Sequence, residues 1–184
     1  MKEKWNSDLT VFIDNQTWKS IFNTCYFTAH DNSLIWFQLR IIYQILGTGY
    51  YLYKIGLSPT PLCRKCTNNP ETLMHLFDEC PVVATFWTKI QEHVERKINL
   101  NLTTNFDILL GHLLSHQSKS PINILILLTK KYIFDSFRRN ISLRLDGLIH
   151  RLKQFYIEEE LLAILRNKHS YFQAVWEKWQ PVFE

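Results

Sequence analysis

The sequence of 184 residues predicts a mainly α-helical domain interrupted by a short cysteine-rich insertion. Three observations carry that expectation. Apolar residues recur at three- and four-residue steps through several long stretches, the period of a helix with one buried face. Only five glycines and six prolines occur, so regular elements are seldom broken. Hydrophobic residues make up 46% of the chain and aromatics 14%, which supplies a packed core and argues against disorder.

In chain order, Leu9 to Asn23 starts with alternation at Leu9, Val11 and Ile13. It then turns helical around Trp18, Ile21 and Phe22, with Asp14 or Asn15 as cap. Asp31-Asn32-Ser33 starts a second helix, Leu34 to Leu46, with apolar positions Trp36, Leu39, Tyr43 and Leu46, and Gly47-Thr48-Gly49 ends it. Tyr50 to Ile55 is a short helical or extended turn closed by Gly56. Ser58-Pro59-Thr60-Pro61 makes a rigid, extended approach to the cysteines. The polar run Thr67 to Glu71 is turn-forming, and Thr72 to Phe77 reads as one helical turn carrying His75. Pro81 suits the first position of a helix from Val82 to Lys97, with Val83, Phe86, Trp87, Ile90 and Val94 on one face. Lys89, Glu92, Glu95 and Arg96 form its solvated side.

The second half is less sharply marked. Phe106 to Leu114 reads as a short apolar strand or turn broken by Gly111, and Ser118 to Pro121 as a loop. Ile122 to Phe137 predicts a long helix with a stripe at Ile122, Ile126, Ile133 and Phe137. A last helix, Glu158 to Trp179, carries Leu162, Leu165, Phe172 and Trp176, with Glu158-Glu159-Glu160 as its acidic first turn. The expected organisation is a helical unit with the insertion over 9–97 and a helical region over 98–184.

Within the insertion, Cys63, Cys66, His75 and Cys80 read C-x2-C-x8-H-x4-C and use three of the four cysteines. Thiolate and imidazole are the ligands Zn2+ prefers, and four of them close a tetrahedral site with no position left for water. The metal expected there is structural rather than catalytic. The competing explanation is three buried cysteines beside an unrelated surface histidine, and the ligand spacing favours the metal. Cys25 stands apart and is expected to pack as a small buried hydrophobe. His112 and His116 lie four apart, but no glutamate follows His112, so no metalloprotease motif forms; surface or capping roles are expected. Ser115 and Asp107 make no triad by nearness in sequence alone.

A net charge of +4 permits a polyanionic partner without requiring one. From Lys119 to Lys153 eight basic residues face only Asp135 and Asp146, and Lys130, Lys131, Arg138 and Arg139 could share one helix flank that tracks phosphates. A solvated helix face is the plainer alternative. Arg64 and Lys65 sit inside the first metal loop, where they balance the formal charge of three thiolates on Zn2+ or reach a phosphate. The N-terminal residues are charged and lack an apolar signal core. Ile122 to Leu128 is too short to span a bilayer, so no membrane segment is expected. Free metal-ligating thiols point to a reduced, intracellular compartment, nucleus or cytoplasm.

The insertion is embedded in more than its ligands. Lys54-Ile55-Gly56-Leu57 leads towards Cys63, His75 to Cys80-Pro81 closes the motif, and Phe86-Trp87 follows. This stretch resembles the zinc-binding domain that follows the reverse transcriptase in LINE-type non-LTR retrotransposon polyproteins. The resemblance covers roughly Leu9 to Val94 and weakens beyond. The family usually carries a basic residue where Gln44 falls and a Thr-Pro turn where Thr48-Gly49 stands. By resemblance, the chain would bind RNA or DNA and help position template. No Asp-Asp pair is present to hold two catalytic metal ions, and no phosphate-binding glycine loop or Gly-x-Ser-x-Gly elbow occurs. Neither polymerase nor endonuclease activity is therefore expected. The alternative from another class is a zinc-stapled structural or protein-interaction module, with an apolar patch around Trp176 and Trp179 meeting a protein partner.

Overall fold

Short polar side chains start the N-terminal helices. In the computed structural model, which describes residues 1–10, 12–100, 109–110 and 121–184, the carboxylate of Asp14 accepts from the Thr17 N–H and opens α2 (Asn15–Thr28). Asp31 does the same for Ser33 at α3 (Asn32–Ile42). Before them lies α1 (Lys2–Leu9), a helix the sequence pattern does not announce. Its Trp5 is buried and donates its indole N–H to the Ile42 carbonyl at 2.8 Å, so tertiary burial holds this short element.

The remaining helices are α4 (Gly49–Lys54), α5 (Pro81–Ile98), α6 (Pro121–Arg138), α7 (Leu145–Leu165) and α8 (His169–Trp176). A π-helical turn spans His75–Glu79 and a 3-10 turn spans Glu177–Phe183. The protein is mainly α, and no strand forms among the described residues; Leu62 and Pro70 make one isolated antiparallel bridge. No described helix is long and apolar enough to cross a membrane. The apolar segment Phe106 to Leu114 lies outside the described residues except for helical Leu109 and Leu110, as do His112, His116, Ser115 and Asp107.

Two elements differ from expectation. α3 stops at Ile42 rather than Leu46, because Gln44 takes a left-handed φ of 56° and turns the chain away. Its buried residues are Leu34, Phe37, Gln38, Leu39, Ile41 and Ile42; of the predicted stripe Leu39 and Leu46 are buried, whereas Trp36 and Tyr43 face solvent. α7 begins at Leu145, well before Glu158, because Leu148, Leu152 and Phe155 recur on one buried face. Glu158 to Glu160 therefore sit in mid-helix and not in a first turn, with Glu159 largely buried. The chain breaks at Asn167, where φ is 54°, before α8 begins.

α6 is the axis of the core. From Pro121 to Lys130 every residue is buried, as expected of a helix packed on all sides. It meets α3, α7 and the π-helical turn, while α5 packs against the C-terminal 3-10 turn. Packing thus crosses the expected division at residues 97 and 98. Tyr132 of α6 joins three elements: its ring lies 5.9 Å from Phe86 of α5, and the Arg151 guanidinium of α7 sits 5.0 Å above it. Gly147 permits this approach, since a Cβ there would come within 2.5 Å of the Tyr132 hydroxyl.

The all-round burial of α6 overturns one expectation. Lys130 does not lie on a solvated flank; it is 1% exposed. Its ammonium donates to Gln38 Oε1 and to the Leu109 carbonyl, which also accepts from Gln38 Nε2 at 3.0 Å. Desolvation lowers its pKa to about 7, against a weaker opposing effect of Cys25. A lysine whose folded pKa lies below its unfolded value penalises folding most at and below pH 7, and the penalty fades as pH rises towards the unfolded value. Urea denaturation should therefore show stability rising between pH 7 and pH 10 by a few kcal/mol, since each tenfold difference in proton affinity between the folded and unfolded chain is worth about 1.4 kcal/mol. Lys130→Met should flatten that rise; an unchanged pH profile would refute the assignment.

Candidate metal centre

Local backbone chemistry builds the site before any metal is considered. Gly56, at φ 76°, turns the chain out of α4. Pro59 and Pro61 then restrict the approach to Cys63. The loop from Cys63 folds back on itself: the Cys63 N–H donates to the Asn69 carbonyl at 2.8 Å, and Thr67 N–H donates to the Cys63 carbonyl at 3.0 Å. Thr67 itself adopts φ 59°. This tight turn presents Cys63 and Cys66 together.

Glu71 locks the turn to the preceding helix. Its carboxylate is buried and accepts from Gly49 N–H at 2.8 Å and Arg64 N–H at 3.4 Å, while its backbone pairs with Pro61 and Tyr50. The sequence pattern places Glu71 only in a polar turn. Its partner Gly49 lies 22 positions away, so no local pattern reveals the contact.

His75 and Cys80 are five residues apart, which in an α-helix would set them about 140° apart around the axis. The π-helical turn resolves this. Cys80 N–H donates to the His75 carbonyl at 2.9 Å, an i→i+5 bond that adds a residue to the turn and brings both side chains to the same side. The x4 spacing is the visible signal for that turn. Cys80 is also the N-cap of α5 and makes no side-chain cap hydrogen bond there, though the nearby Val82 and Val83 N–H groups favour its thiolate.

The four donors converge. One ligand atom each from Cys63, Cys66, His75 and Cys80 lies within 4.8 Å of all the others. The Cys63 and Cys80 sulfurs are 3.9 Å apart, and Cys66 Sγ lies 3.2 Å from His75 Nε2. A tetrahedron with Zn–S bonds of about 2.3 Å has an S···S edge of about 3.8 Å, so the donor set suits a zinc-sized ion. No disulfide joins these cysteines. Cys63, His75 and Cys80 are buried and Cys66 half-buried, which shields the centre from competing water.

The thiols differ in acidity. Burial pushes Cys63 up to about 12, and it also raises Cys80. At Cys66 burial works in the same upward direction, but N–H donors from Asn68 and Asn69 and the neighbouring thiols outweigh it and lower the pKa. Cys66 is thus the readiest thiolate to meet a metal ion, and the other two must give up protons as the site closes. Around the centre, Trp87 of α5 donates its indole N–H to the Phe77 carbonyl at 2.8 Å, and Phe77 meets Phe37 edge-on. Phe86 is buried on the inner face of α5 as the sequence predicts and Trp87 half-buried beside it, whereas Trp36 of α3 is 63% exposed. Cys25 is buried, as expected of a lone small hydrophobe.

The basic residues do not gather on one flank. Arg64 and Arg139 are exposed, and Lys65 reaches across to donate to Asn140 Oδ1 at 2.9 Å. Lys131 pairs with Asp135 and lies over the Phe37 ring. Arg138 is exposed at the end of α6 with its guanidinium 5.5 Å over Phe134. Lys130, as described, points into the core. Compared with known protein families the chain matches no family model, and no curated protein matches it.

Two outcomes follow from this geometry. Zinc sites of this kind contribute about 10–16 kcal/mol, comparable with the whole stability of a domain at about 5–15 kcal/mol. Cys80→Ser should therefore abolish stoichiometric zinc by elemental analysis and lower the Tm by roughly 10 °C or more. Glu71→Ala should leave zinc bound at saturation but destabilise the fold by about 1–3 kcal/mol in denaturant titration, because the Gly49 N–H loses its acceptor.

Proposed function

We propose that this chain is a zinc-stapled helical domain that binds RNA or DNA through phosphate contacts. In this proposal it is related to the region after the reverse transcriptase of LINE-type retrotransposon polyproteins and has no polymerase or endonuclease activity of its own. The observation that carries the proposal is the convergence of Cys63, Cys66, His75 and Cys80 within the very stretch whose flanking residues resemble that family. Zn2+, when bound, supplies no reaction; it fixes the turn so that the residues beside it hold their places. Arg64, Lys65 and Arg139 lie on or near that turn, and Arg138 adjoins them. Such cations position a strand without reading its sequence.

A second proposal has one observation in its favour. Tyr53 in the last turn of α4 and Ile55 and Leu57 just after it are exposed, Leu57 at 73%, which suits a protein partner. The patch that the sequence nominated for that role is not available, since Trp176 is buried among Tyr156, Phe172 and Phe183 and Trp179 is buried as well.

Filter binding of zinc-loaded protein to a single-stranded RNA and to a DNA duplex at low salt separates the two. With about three phosphate contacts, log affinity for the single strand should fall with log salt at a slope of about −2. Reversing Arg64, Arg138 and Arg139 together should abolish that binding, whereas a protein-interaction module would show none to begin with.

A further inference from the structure

Beside the metal turn is a second concavity that the sequence did not suggest. A cavity of about 320 Å3 lies between the first cysteine loop, the first turns of α5 and the loop that follows α6. Lys65 comes from the cysteine loop, Thr85 and Lys89 from α5, and Ser142 from the loop after α6. Val82, Phe86 and Leu143 supply its apolar wall. No carboxylate lines it.

Each part has a physical consequence. Thr85 and Lys89 are four residues apart on α5, so they share one side of the helix. Lys65 is anchored by Asn140 Oδ1 at 2.9 Å, which fixes one ammonium towards the loop carrying Ser142. Two cations from separate elements, with no acidic residue between them, favour an anion over a neutral or cationic ligand. The volume lies at the lower end of small-molecule sites, enough for one ring and one phosphate. The apolar wall beside the cations matches a group that is charged at one end and flat and apolar at the other.

We infer that this cavity binds one nucleotide unit, its phosphate held by Lys65 and Lys89 with the Ser142 hydroxyl, and its base or sugar against Val82, Phe86 and Leu143. The unit can belong to a nucleic-acid strand or be a free nucleotide. The strand form deepens the nucleic-acid proposal and rests on it; the free-nucleotide form does not. The site also assigns a role to Lys89, which the helical pattern placed on an ordinary solvated face.

The test uses the zinc-loaded full chain with two probes, a fluorescently labelled single-stranded RNA oligonucleotide and AMP. Lys89→Glu is the variant, and Lys4→Glu, at an exposed position outside the cavity, makes the same change in net charge. Circular dichroism and zinc content check that both variants fold. Lys89→Glu should weaken RNA binding about tenfold and reduce the salt slope by about 0.7, while Lys4→Glu changes affinity less than about twofold. Binding of AMP that Lys89→Glu abolishes, with no RNA binding, would support the cavity as a free-nucleotide site while refuting the nucleic-acid proposal. Equal effects of the two variants on RNA binding, together with no Lys89-dependent AMP binding, would overturn the cavity assignment and leave the nucleic-acid proposal standing. Absence of binding to either probe would overturn both.

Discussion

The convergence of three sulfurs and one imidazole nitrogen within 4.8 Å is the constraint on which the N-terminal half depends. The stretch between Cys63 and Cys80 has one π-helical turn, and backbone hydrogen bonds with the buried Glu71 hold the rest. Leu76 and Phe77, within that stretch, are fully buried and belong to the main core. Closing the four donors on a common centre fixes the turn from which these two side chains enter the core. The π-helical turn packs on both α5 and α6, so the order created at the donors passes directly into the central helix. A metal ion bound there contributes to the whole domain and not to a surface loop alone.

The central helix imposes the opposite kind of constraint. α6 is buried along its first ten residues, so a polar side chain there loses water; among the described residues the Thr129 hydroxyl finds no hydrogen-bond partner, whereas the Lys130 ammonium does. Lys130 does so through Gln38 and the Leu109 carbonyl, a three-way contact between α3, α6 and the segment before α6. Replacing a buried ion by hydrocarbon is often stabilising, so these contacts offset the cost of burying Lys130 without making it a source of stability. The network joins α3, α6 and the segment around Leu109 through polar contacts inside the core.

These two constraints explain what the sequence disclosed and what it concealed. The caps Asp14 and Asp31, the start of α5 at Pro81 and the metal ligands were legible, because each depends on residues within a few positions of one another. The mainly α class was legible for the same reason. The early end of α3 was not, since a polar residue, Gln44, takes the left-handed conformation that glycine usually provides. The start of α7 was written in Leu148, Leu152 and Phe155 but masked by the charged residues between them. Lys130 misled because a helix surrounded on all sides has no solvated flank, and which helix is central is decided by tertiary packing. Glu71 and the cavity beside Lys89 were invisible, as each joins segments far apart in sequence.

The redistribution of charge bears on where an anion would meet this protein. With Lys130 buried, Lys131 and Arg151 held by Asp135, and Arg144 held by Asp146, α6 and the start of α7 offer little free positive charge. Near the metal turn stand Arg64, Lys65, Lys89, Arg138 and Arg139, which come from the cysteine loop, α5 and the end of α6. Three thiolates around a Zn2+ ion would carry a formal charge of −1, which a single one of these cations balances. Their number exceeds what a single negative charge neutralises. The excess is spread over elements whose relative positions depend on the closed donor set, because the cysteine loop and the start of α5 both end on a ligand. With a metal ion on the four donors and an anion on Lys65 and Lys89, as proposed, the two would be coupled through geometry: opening the turn would separate Lys65 from Lys89 even though neither is among the donors.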